Sequence, residues 1–252
     1  MAKGQRRERV GEEELQRGVS RWYERYYSDV GEFRNSLLHN PEVMFQSFAF
    51  QKSLINCLRK LDLDPPTAKV LDVGCGTGGS LPQMIELGFD PANFTGIDIL
   101  EDRIAAARSK HASVRFIAGD ARELPCEDGA FDLALESTMF ISVTDNDVAK
   151  AIATEMVRVT RPSGYIVVID WRYSKPGKEG YLAVTRKRIR YLFDVGTQTD
   201  VYCVARGALV PPIGRMLSKR LPSLYFLVAA LLPFLVGQTT TVLRKRLPSQ
   251  AS

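Results

Sequence analysis

Short apolar runs alternate with amphipathic segments along this chain after residue 68. The apolar runs have the length and composition of buried strands, and the segments between them place apolar residues at helical spacing. This alternation predicts an α/β fold, in which helices cover both faces of a mostly parallel sheet. The predicted strands are residues 70–73, 94–99, 114–117, 131–135, 164–169, 201–210 and 238–243.

The first 62 residues have a different pattern, because apolar residues recur there at helical spacing in two segments. These segments lie within residues 12–61, with a break around Gly31 and the sequence His39-Asn40-Pro41. Such spacing predicts two amphipathic helices. The charged start of the chain has no apolar core behind it, so we expect no secretory signal and a cytoplasmic location.

Composition limits the size and chemistry of this protein. A chain of 252 residues that is 45% hydrophobic can bury the core of one full domain. Its four cysteines show no CxxC spacing and only two histidines are present, so we expect no metal site and reduced thiols.

The densest group of glycines follows the first predicted strand, in the sequence VLDVGCGTGG of residues 70–79. Glycines let the chain turn sharply and bring bare backbone amides close to a ligand before the next helix begins. We therefore expect a nucleotide-like cofactor here. Because Gly74, Gly76 and Gly79 also satisfy the dinucleotide pattern GxGxxG, the glycines alone do not identify that cofactor.

Asp72, two positions before the first glycine, favours one class of cofactor. Beside a pyrophosphate its carboxylate would face phosphate oxygens, and like charges at short distance repel. S-adenosylmethionine has no phosphate and brings an ammonium and a sulfonium group, which a carboxylate attracts. The sequence therefore favours S-adenosylmethionine over NAD.

Two more aspartates follow the next two predicted strands. Asp98 ends the second strand, where an acid accepts hydrogen bonds from the ribose hydroxyls of either cofactor. Asp120 follows the third strand, where a short carboxylate would accept a hydrogen bond from an adenine amino group. Three strand ends, each with one acid, thus point to one ligand.

The segments VLDVGCGTGG, GIDILEDRI and GDARELPCEDGAFDLALE together resemble the class I S-adenosylmethionine-dependent methyltransferases. The motifs occur in family order across residues 70–173. The resemblance implies a Rossmann-like, doubly wound, mostly parallel seven-stranded sheet whose last strand is antiparallel. Between the last two predicted strands the residue pattern predicts a helical insertion, residues 211–236.

The same resemblance implies a role for individual residues. The methionine part of the cofactor would be held by Asp72, Gly74, Gly76 and Gly78, the ribose by Asp98, and the adenine by Ile99, Asp120 and Ala121. After the fourth strand, Glu136 and Ser137 would lie beneath the methionyl group and beside the acceptor, with Phe140 as a further acceptor contact.

Methyltransferases of this class cover the acceptor pocket with N-terminal helices. We therefore expect residues 1–62 to form a helical lid within the same domain as residues 63–252. Tyr26 and Tyr27 are its predicted acceptor contacts. The alternative is that these aromatic side chains form the core between two helices.

Methyl transfer to a hydroxyl requires removal of the acceptor proton, and two residues are candidate bases. His39 is a candidate because histidine as a residue type can serve as a general base near neutral pH, and Asp170 ends the fifth strand, where ligands gather in a parallel sheet. Alternatively, no strong base exists and alignment of oxygen, methyl carbon and sulfur supplies much of the rate. Arg172 would bind an acidic or phosphorylated acceptor, or pair with a neighbouring acid.

Residues 224–236 form an apolar run of about half the roughly 20 residues that a spanning helix requires, and Pro233 interrupts it. We expect it not to cross a bilayer. Two interpretations remain: the favoured one is a buried helix pair over the acceptor site. The other is peripheral contact with anionic lipid, flanked by Arg215, Lys219, Arg220, Arg244, Lys245 and Arg246.

The layout of residues 169–245 also resembles, more loosely, a subset of bacterial methyltransferases found with surface polysaccharide and glycolipid synthesis. It suggests a hydroxyl of a sugar, a lipid or another small molecule as the acceptor. The chain is more apolar after Leu224 than that subset, which leaves the acceptor class and the oligomeric state open.

Three other functions stay open at this point. An NAD-dependent oxidoreductase would use the same glycines. A formal net charge of +5 and a pI near 9.0 suggest a nucleic acid methyltransferase, but the basic residues form no stripe with interleaved aromatics, so we expect no nucleic acid partner. The third is a cofactor-binding subunit without activity.

Overall fold

The computed structural model describes residues 16–21, 24, 36–174, 177 and 179–247. In this part of the chain seven strands form one sheet in the order β3-β2-β1-β4-β5-β7-β6. The strands are β1 (Val70–Val73), β2 (Phe94–Asp98), β3 (Arg115–Ala118), β4 (Phe131–Ser137), β5 (Thr160–Trp171), β6 (Thr199–Arg206) and β7 (Gln238–Lys245).

The first five strands pair in parallel, and β7 lies antiparallel between β5 and β6. This arrangement confirms the Rossmann-like, mostly parallel sheet with an antiparallel last strand. Among the described residues from 36 onward, the α-helices are α1 (Met44–Leu58), α2 (Leu81–Glu86), α3 (Glu101–Lys110), α4 (Asn146–Val159), α5 (Arg186–Leu192), α6 (Pro211–Arg220) and α7 (Tyr225–Leu231).

Helix α4 shows why these segments fold as they do. Its buried residues recur every three or four positions, as the core-facing stripe of an amphipathic helix does. Asp145 precedes it, and its side chain accepts hydrogen bonds from the amides of Asp147 and Val148. This cap satisfies two of the amides that a helix start leaves unpaired. The stripe consists of Ala149, Ile152, Ala153, Met156 and Val157.

Alternating side chains of the central strands build a core on each face of the sheet. Leu71 and Val73 of β1 pack with the helices α4 and α5, whereas Val70 packs with α1, α2 and α3. Asp72 alternates with the first pair, so it is on the side of Val70. Covering both faces is what a parallel sheet of apolar strands requires.

The strand bounds differ most from the sequence expectation at two places, and most other bounds differ by one or two residues. β5 begins at Thr160 instead of residue 164, and β6 ends at Arg206 instead of residue 210. Beyond β6 the chain leaves the sheet at Gly207, whose amide donates to the carbonyl of Gln238 at 2.9 Å. Leu209 makes only an isolated bridge to Val236 before Pro211 starts α6.

The apolar run from residue 224 to 236 is divided by proline. Its first part forms α7, which ends at Leu231, and Pro233 starts a 3-10 turn, because proline lacks the amide that a continuing helix needs. No helix in the described ranges is long and apolar enough to cross a bilayer.

Candidate functional site

The turn after β1 requires glycine at specific positions. Gly74, Gly76 and Gly78 have φ values of +71°, +55° and +80°, which favour glycine. A Cβ at Gly74 would lie 2.9 Å from the Met139 side chain, whereas one at Gly79 would meet no atom within 4 Å. The third glycine of the dinucleotide pattern is therefore not required by this turn.

The amides of this glycine turn donate within the protein. Those of Gly74 and Cys75 donate to the carbonyl of Ile97 at 2.8 and 3.0 Å, and that of Gly78 to the carbonyl of Cys75 at 3.0 Å. The amide of Gly76 donates to Oδ2 of Asp98 at 2.9 Å. This corrects the expectation that the glycines present bare amides to a ligand. A loop that holds a diphosphate needs such amides free.

Asp98 lies at the carboxyl end of β2 and is 7% exposed. Its Oδ1 accepts from the amide of Leu100 at 3.0 Å, in addition to the bond that Gly76 makes with Oδ2. Each carboxylate oxygen has a second acceptor site. The side chain is held rigidly and lines a cleft, so it can still accept hydrogen bonds from a ribose.

Asp72 is 1% exposed within β1. In the described part of the chain, neither of its carboxylate oxygens has a hydrogen-bond partner of good geometry. Burial raises the pKa of Asp72 to about 7; the Ser80 side chain lowers it in part, and the negative charge of Asp98 raises it. A carboxyl group in this state gains free energy from a nearby cation.

A cleft that encloses about 730 Å³, open mouth included, lies at the carboxyl ends of β1 to β4. The described residues that line it are Val19, Gly74, Ile97, Asp98, Ile99, Gly119, Asp120, Ala121, Ser137, Thr138, Met139, Ser142, Val143, Val148 and Ile152. The cleft therefore brings together six of the predicted site residues, namely Gly74, Asp98, Ile99, Asp120, Ala121 and Ser137.

The N-terminal segment contributes to this cleft. Residues 16–21 are helical, Val19 lines the cleft, and Nε2 of Gln16 donates to the carbonyl of Ile99 at 2.9 Å. The sequence shows that Val19 belongs to a segment with helical spacing, but it does not show that Val19 lines the cleft. Tyr26 and Tyr27 lie outside the described residues.

Asp120 lines the cleft after β3 and is already bound to a cation. Arg122 donates to it three times: from its amide to Oδ1 at 2.8 Å, and from Nε at 2.8 Å and Nη2 at 2.5 Å to Oδ2. The carboxylate can still accept one bond through the second acceptor site of Oδ1. Arg122 is not among the predicted site residues, although its position two residues after an acid is a sequence signal for such a pair.

The turn after β4 was also missed. Thr138 has a φ of +61°, which is uncommon for a residue other than glycine, and its amide donates to the carbonyl of Ile169 at 2.8 Å. Met139 follows, and its side chain packs against Gly74 across the cleft. Strained turns of this kind often occur at binding sites. A threonine and a methionine after a strand give no sequence signal of it.

Glu136 and Asp170 end the adjacent strands β4 and β5 and are buried on the α5 side of the sheet. Glu136 is 0% exposed; its Oε2 accepts from the amide of Met139 at 2.9 Å. Both oxygens of Asp170 accept from backbone amides, those of Ile141 and Trp171. Burial raises the pKa of Glu136 well above its ordinary value, as does the charge of Asp170, and burial raises the pKa of Asp170 to about 7.

Arg188 of α5 supplies the positive charge beside these two acids. Its guanidinium donates to the carbonyl oxygens of Phe140, Leu182 and Val143. Burial lowers the pKa of Arg188, and the charges of Asp170 and Glu136 oppose that change. The three side chains form a buried charge cluster beneath the cleft.

Three predicted site residues lie elsewhere than expected. His39 is in an exposed turn, where Nδ1 is 2.9 Å from the hydroxyl oxygen of Ser36. Asp170 is buried in the charge cluster. Phe140 is 0% exposed and packs edge-to-face on Phe193, which argues against the expected contact with an acceptor. Among the described residues lining the cleft, these three are absent.

Arg172 follows β5 and binds the insertion, so its Nη2 is not available to an acceptor. This nitrogen donates to the carbonyl of Pro233 at 2.6 Å, and the Tyr173 hydroxyl donates to the carbonyl of Phe234 at 2.8 Å. The sequence left open a pair between Arg172 and a neighbouring acid; the structure instead shows Arg172 bound to a backbone carbonyl.

The favoured interpretation of the insertion, residues 211–236, is a buried helix pair over the acceptor site. The structure buries only one face of this insertion. Leu209, Leu217, Tyr225 and Val236 are buried with Ala49 of α1. The opposite face is exposed, and the described cleft residues include none from this insertion. Packing against α1 therefore places the insertion beside the cleft instead of over it.

Comparison with known proteins relates this site to methyltransferases. A family model described as "Methyltransferase domain" matches residues 70–164. A fatty-acid O-methyltransferase of Mycolicibacterium smegmatis is 39% identical over 119 residues, which are 46% of this chain and 42% of that protein. A demethylmenaquinone methyltransferase of Beutenbergia cavernae is 31% identical over 148 residues, 53% of this chain and 58% of that protein. The chain spans about half the length of these curated relatives.

The fold also matches solved structures. A geranyl diphosphate C-methyltransferase of Streptomyces coelicolor A3(2), in complex with Mg²⁺, geranyl diphosphate and S-adenosyl-L-homocysteine, aligns with a TM-score of 0.56 and 16% sequence identity. The alignment covers 78% of this chain and 77% of that one. At this identity the likeness shows a shared fold.

Proposed function

We propose that this chain, which carries a class I S-adenosylmethionine-dependent methyltransferase domain, transfers the methyl group of S-adenosylmethionine to a hydroxyl oxygen of a lipid-like small molecule. The observation that carries the choice of cofactor is the pairing of two features after β1. The glycine turn uses its own amides internally, and the neighbouring carboxyl of Asp72 is buried without a good hydrogen-bond partner in the described chain.

These two features fit a cationic cofactor and disfavour a diphosphate. A diphosphate would need donors that the amides of Gly74, Cys75, Gly76 and Gly78 have already given to protein acceptors. It would also bring negative charge near Asp72 and Asp98. A cofactor with an ammonium group reverses this effect, because it stabilises the ionised form of Asp72.

The cleft residues fit the rest of this cofactor. Asp98 would accept hydrogen bonds from the ribose, and Ile99, beside Asp120 and Ala121, would pack against the adenine. Val19 would close the cleft from the N-terminal segment. When bound, S-adenosylmethionine supplies an electrophilic methyl group on sulfur.

The chain's contribution to the transfer would be alignment and exclusion of water. In the described lining of the cleft the ionisable side chains are Asp98 and Asp120, both assigned to the cofactor, and neither candidate base reaches it. Ser137, Met139 and Ser142 line the cleft at and after the end of β4. Holding the acceptor oxygen in line with the methyl carbon converts a bimolecular reaction into an effectively intramolecular one.

A lipid-like acceptor is supported by two independent observations. The relatives named above include a fatty-acid O-methyltransferase and a demethylmenaquinone methyltransferase. In addition, Arg172 and Tyr173, which follow β5, are hydrogen-bonded to an insertion rich in exposed apolar side chains. An apolar surface thus adjoins the sheet edge where the cleft opens.

Calorimetry with the full chain tests the cofactor. We expect micromolar binding of S-adenosylhomocysteine and none of NAD. Binding of NAD, or of neither molecule, would contradict the proposal, and the second result would also exclude a cofactor-binding subunit without activity.

The acceptor is tested with methyl-labelled S-adenosylmethionine and a lipid extract from bacterial membranes. We expect label in the organic phase that resists mild alkali, as a methyl ether on a hydroxyl oxygen does. Alkali-labile label would identify a carboxylate oxygen instead, and label bound to carbon would identify a C-methyltransferase. Absence of transfer to any lipid, with S-adenosylhomocysteine binding intact, would exclude the lipid-like acceptor.

A further inference from the structure

From residue 221 to 234, the insertion between β6 and β7 carries seven large exposed apolar side chains, here together called the apolar face. On α7, Phe226, Leu227 and Leu231 are exposed, whereas Tyr225 is buried against α1. Leu231 is 69% exposed and Phe234 is 63% exposed. Such a concentration of large apolar side chains is unusual on a surface that meets only water. The apolar face consists of Leu221, Leu224, Phe226, Leu227, Leu231, Leu232 and Phe234.

The apolar face is anchored rigidly to the domain. Beneath it the rings of Phe45 and Tyr225 lie 5.6 Å apart, and the Tyr225 hydroxyl accepts from the amide of Leu209 at 3.1 Å. The carbonyls of Pro233 and Phe234 accept from Arg172 and Tyr173. The exposed side chains are thus the outer side of a packed element and are not a frayed segment.

Basic residues border the apolar face on two sides. Nζ of Lys52 lies 5.0 Å from the centre of the Phe226 ring, and Lys52 and Arg206 share a hollow with Phe226. An adjoining hollow is lined by Lys52, Arg59, Lys60 and Arg206. On the other side, α6 ends with Lys219 and Arg220, of which Lys219 pairs with Glu42 at 3.0 Å.

The sequence around the insertion has an extreme charge bias. Residues 201–252 contain seven basic residues and no acidic one. Three of the six predicted flanking cations are far along β7, however. Arg246 pairs with Asp200, and Lys245 donates to the carbonyls of Arg158 and Thr160. The basic border is therefore made by Lys52, Arg59, Lys60, Arg206, Lys219 and Arg220.

We propose that the apolar face docks onto the surface of a bilayer that contains anionic lipid, with the basic border against the headgroups. Apolar side chains would enter the boundary between headgroups and acyl chains, and each cation would interact with the negative surface potential. A second copy of this chain fits less well, because a symmetric dimer would bring two basic borders together. The inference goes beyond the proposed transfer reaction and does not depend on it.

Co-sedimentation of the full chain with vesicles tests the proposal. We expect binding to vesicles of phosphatidylcholine mixed with phosphatidylglycerol, weaker binding to phosphatidylcholine alone, and loss of the difference at high salt. The substitution Leu231→Asp should lower the partition coefficient about tenfold, and Leu227→Asp combined with it should lower it further. The matched control is Leu247→Asp, since Leu247 is 68% exposed beyond the far end of β7, and it should bind as the wild type does.

Charge is tested separately from apolar contact. Removing two border cations with Arg59→Gln and Arg206→Gln should weaken binding to the mixed vesicles roughly tenfold or more, since each cation near an anionic surface contributes about fivefold. Lys110→Gln with Arg115→Gln makes the same charge change near β3, at the opposite edge of the sheet, and should have little effect.

Three results would overturn the proposal. The first is failure of the wild type to bind the mixed vesicles at low salt. The second is an equal loss of binding in the variants of the apolar face or basic border and in their matched controls. Alternatively, sedimentation would show a dimer that Leu227→Asp with Leu231→Asp dissociates, which would assign the face to a second copy. The wild-type dependence on lipid and salt requires no variant, so the test stands even if a variant unfolds. Calorimetry with S-adenosylhomocysteine on the same samples separates this proposal from the proposed function.

Discussion

The amide of Gly76 donates a 2.9 Å hydrogen bond to Oδ2 of Asp98, so the glycine turn after β1 and the acid at the end of β2 form one unit. This bond orients the carboxylate that would hold the ribose. It also consumes an amide that a diphosphate would require. This one hydrogen bond therefore favours S-adenosylmethionine over a dinucleotide in two ways.

Replacement of this acid should weaken cofactor binding. We expect Asp98→Ala to lower the affinity for S-adenosylhomocysteine by roughly 1–3 kcal/mol, because hydrogen bonds to a charged group are lost. The measurement is calorimetric titration, with thermal unfolding of the same sample to show that the variant is folded.

Asp90→Ala is the matched control for that variant. Asp90 also accepts a backbone amide, that of Ala92 at 2.9 Å, but it is exposed in the turn before β2. Both variants lose a local backbone bond, and only Asp98→Ala should lose affinity. Equal affinity in the two would contradict the ribose assignment.

Cofactor affinity should depend on pH through Asp72. The pKa of this carboxyl is about 7 in the folded chain, chiefly through burial, and a cationic ligand favours its ionised form. We therefore expect the affinity for S-adenosylhomocysteine to rise roughly tenfold from pH 6 to pH 8, as for one released proton. Asp72→Asn should bind weakly with no such rise, and a similar pH profile in that variant would rule out Asp72 as its origin.

The same carboxyl should affect stability in the opposite direction. Unfolded Asp72 ionises near pH 4, whereas the folded form keeps its proton to about pH 7, so its contribution to stability falls as pH rises between these values. Without ligand, Asp72→Asn should therefore unfold at a higher temperature than the wild type at pH 8. At pH 4 the two proteins should differ little, and the reverse order would contradict the raised pKa.

Two glycines of the turn should respond differently to a methyl group. Gly74→Ala should destabilise the fold by more than about 1 kcal/mol, because φ is +71° and the new Cβ would lie 2.9 Å from Met139. Gly79→Ala meets open space at an ordinary φ and should be neutral or slightly stabilising. Urea unfolding of both variants checks this contrast, which a dinucleotide-binding turn would not show.

The buried charge cluster should depend on its one cation. Arg188→Met leaves Glu136 and Asp170 without the charge that offsets their burial, so we expect a loss of about 3 kcal/mol or more. The loss should be larger at pH 8 than at pH 5, because the protonated acids need no counter-charge. Arg190→Met, on the exposed side of the same helix, is the control and should change the free energy of unfolding by less than about 0.5 kcal/mol.

Much of the cofactor site follows from local sequence. Asp98 and Asp120 are recognisable because a strand of apolar residues ends beside each, and parallel strands bring their carboxyl ends to one edge. The acceptor side is less predictable, since His39, Phe140 and Arg172 are chemically suitable but point to solvent, core and insertion. Outside a helix or strand with periodic apolar residues, the type of a residue does not tell which way its side chain points.

The amino-acid sequence by itself determined the order of strands and helices, the glycine turn and the acids Asp98 and Asp120 that line the cleft, because these depend on periodicity and on neighbours a few positions away. Tertiary structure alone decided that Arg188 lies beside Glu136 and Asp170, and which side of α7 is buried. Both sides of α7 are apolar, so only its packing against Phe45 of α1 selects the side of Tyr225 and leaves Leu227 and Leu231 in solvent.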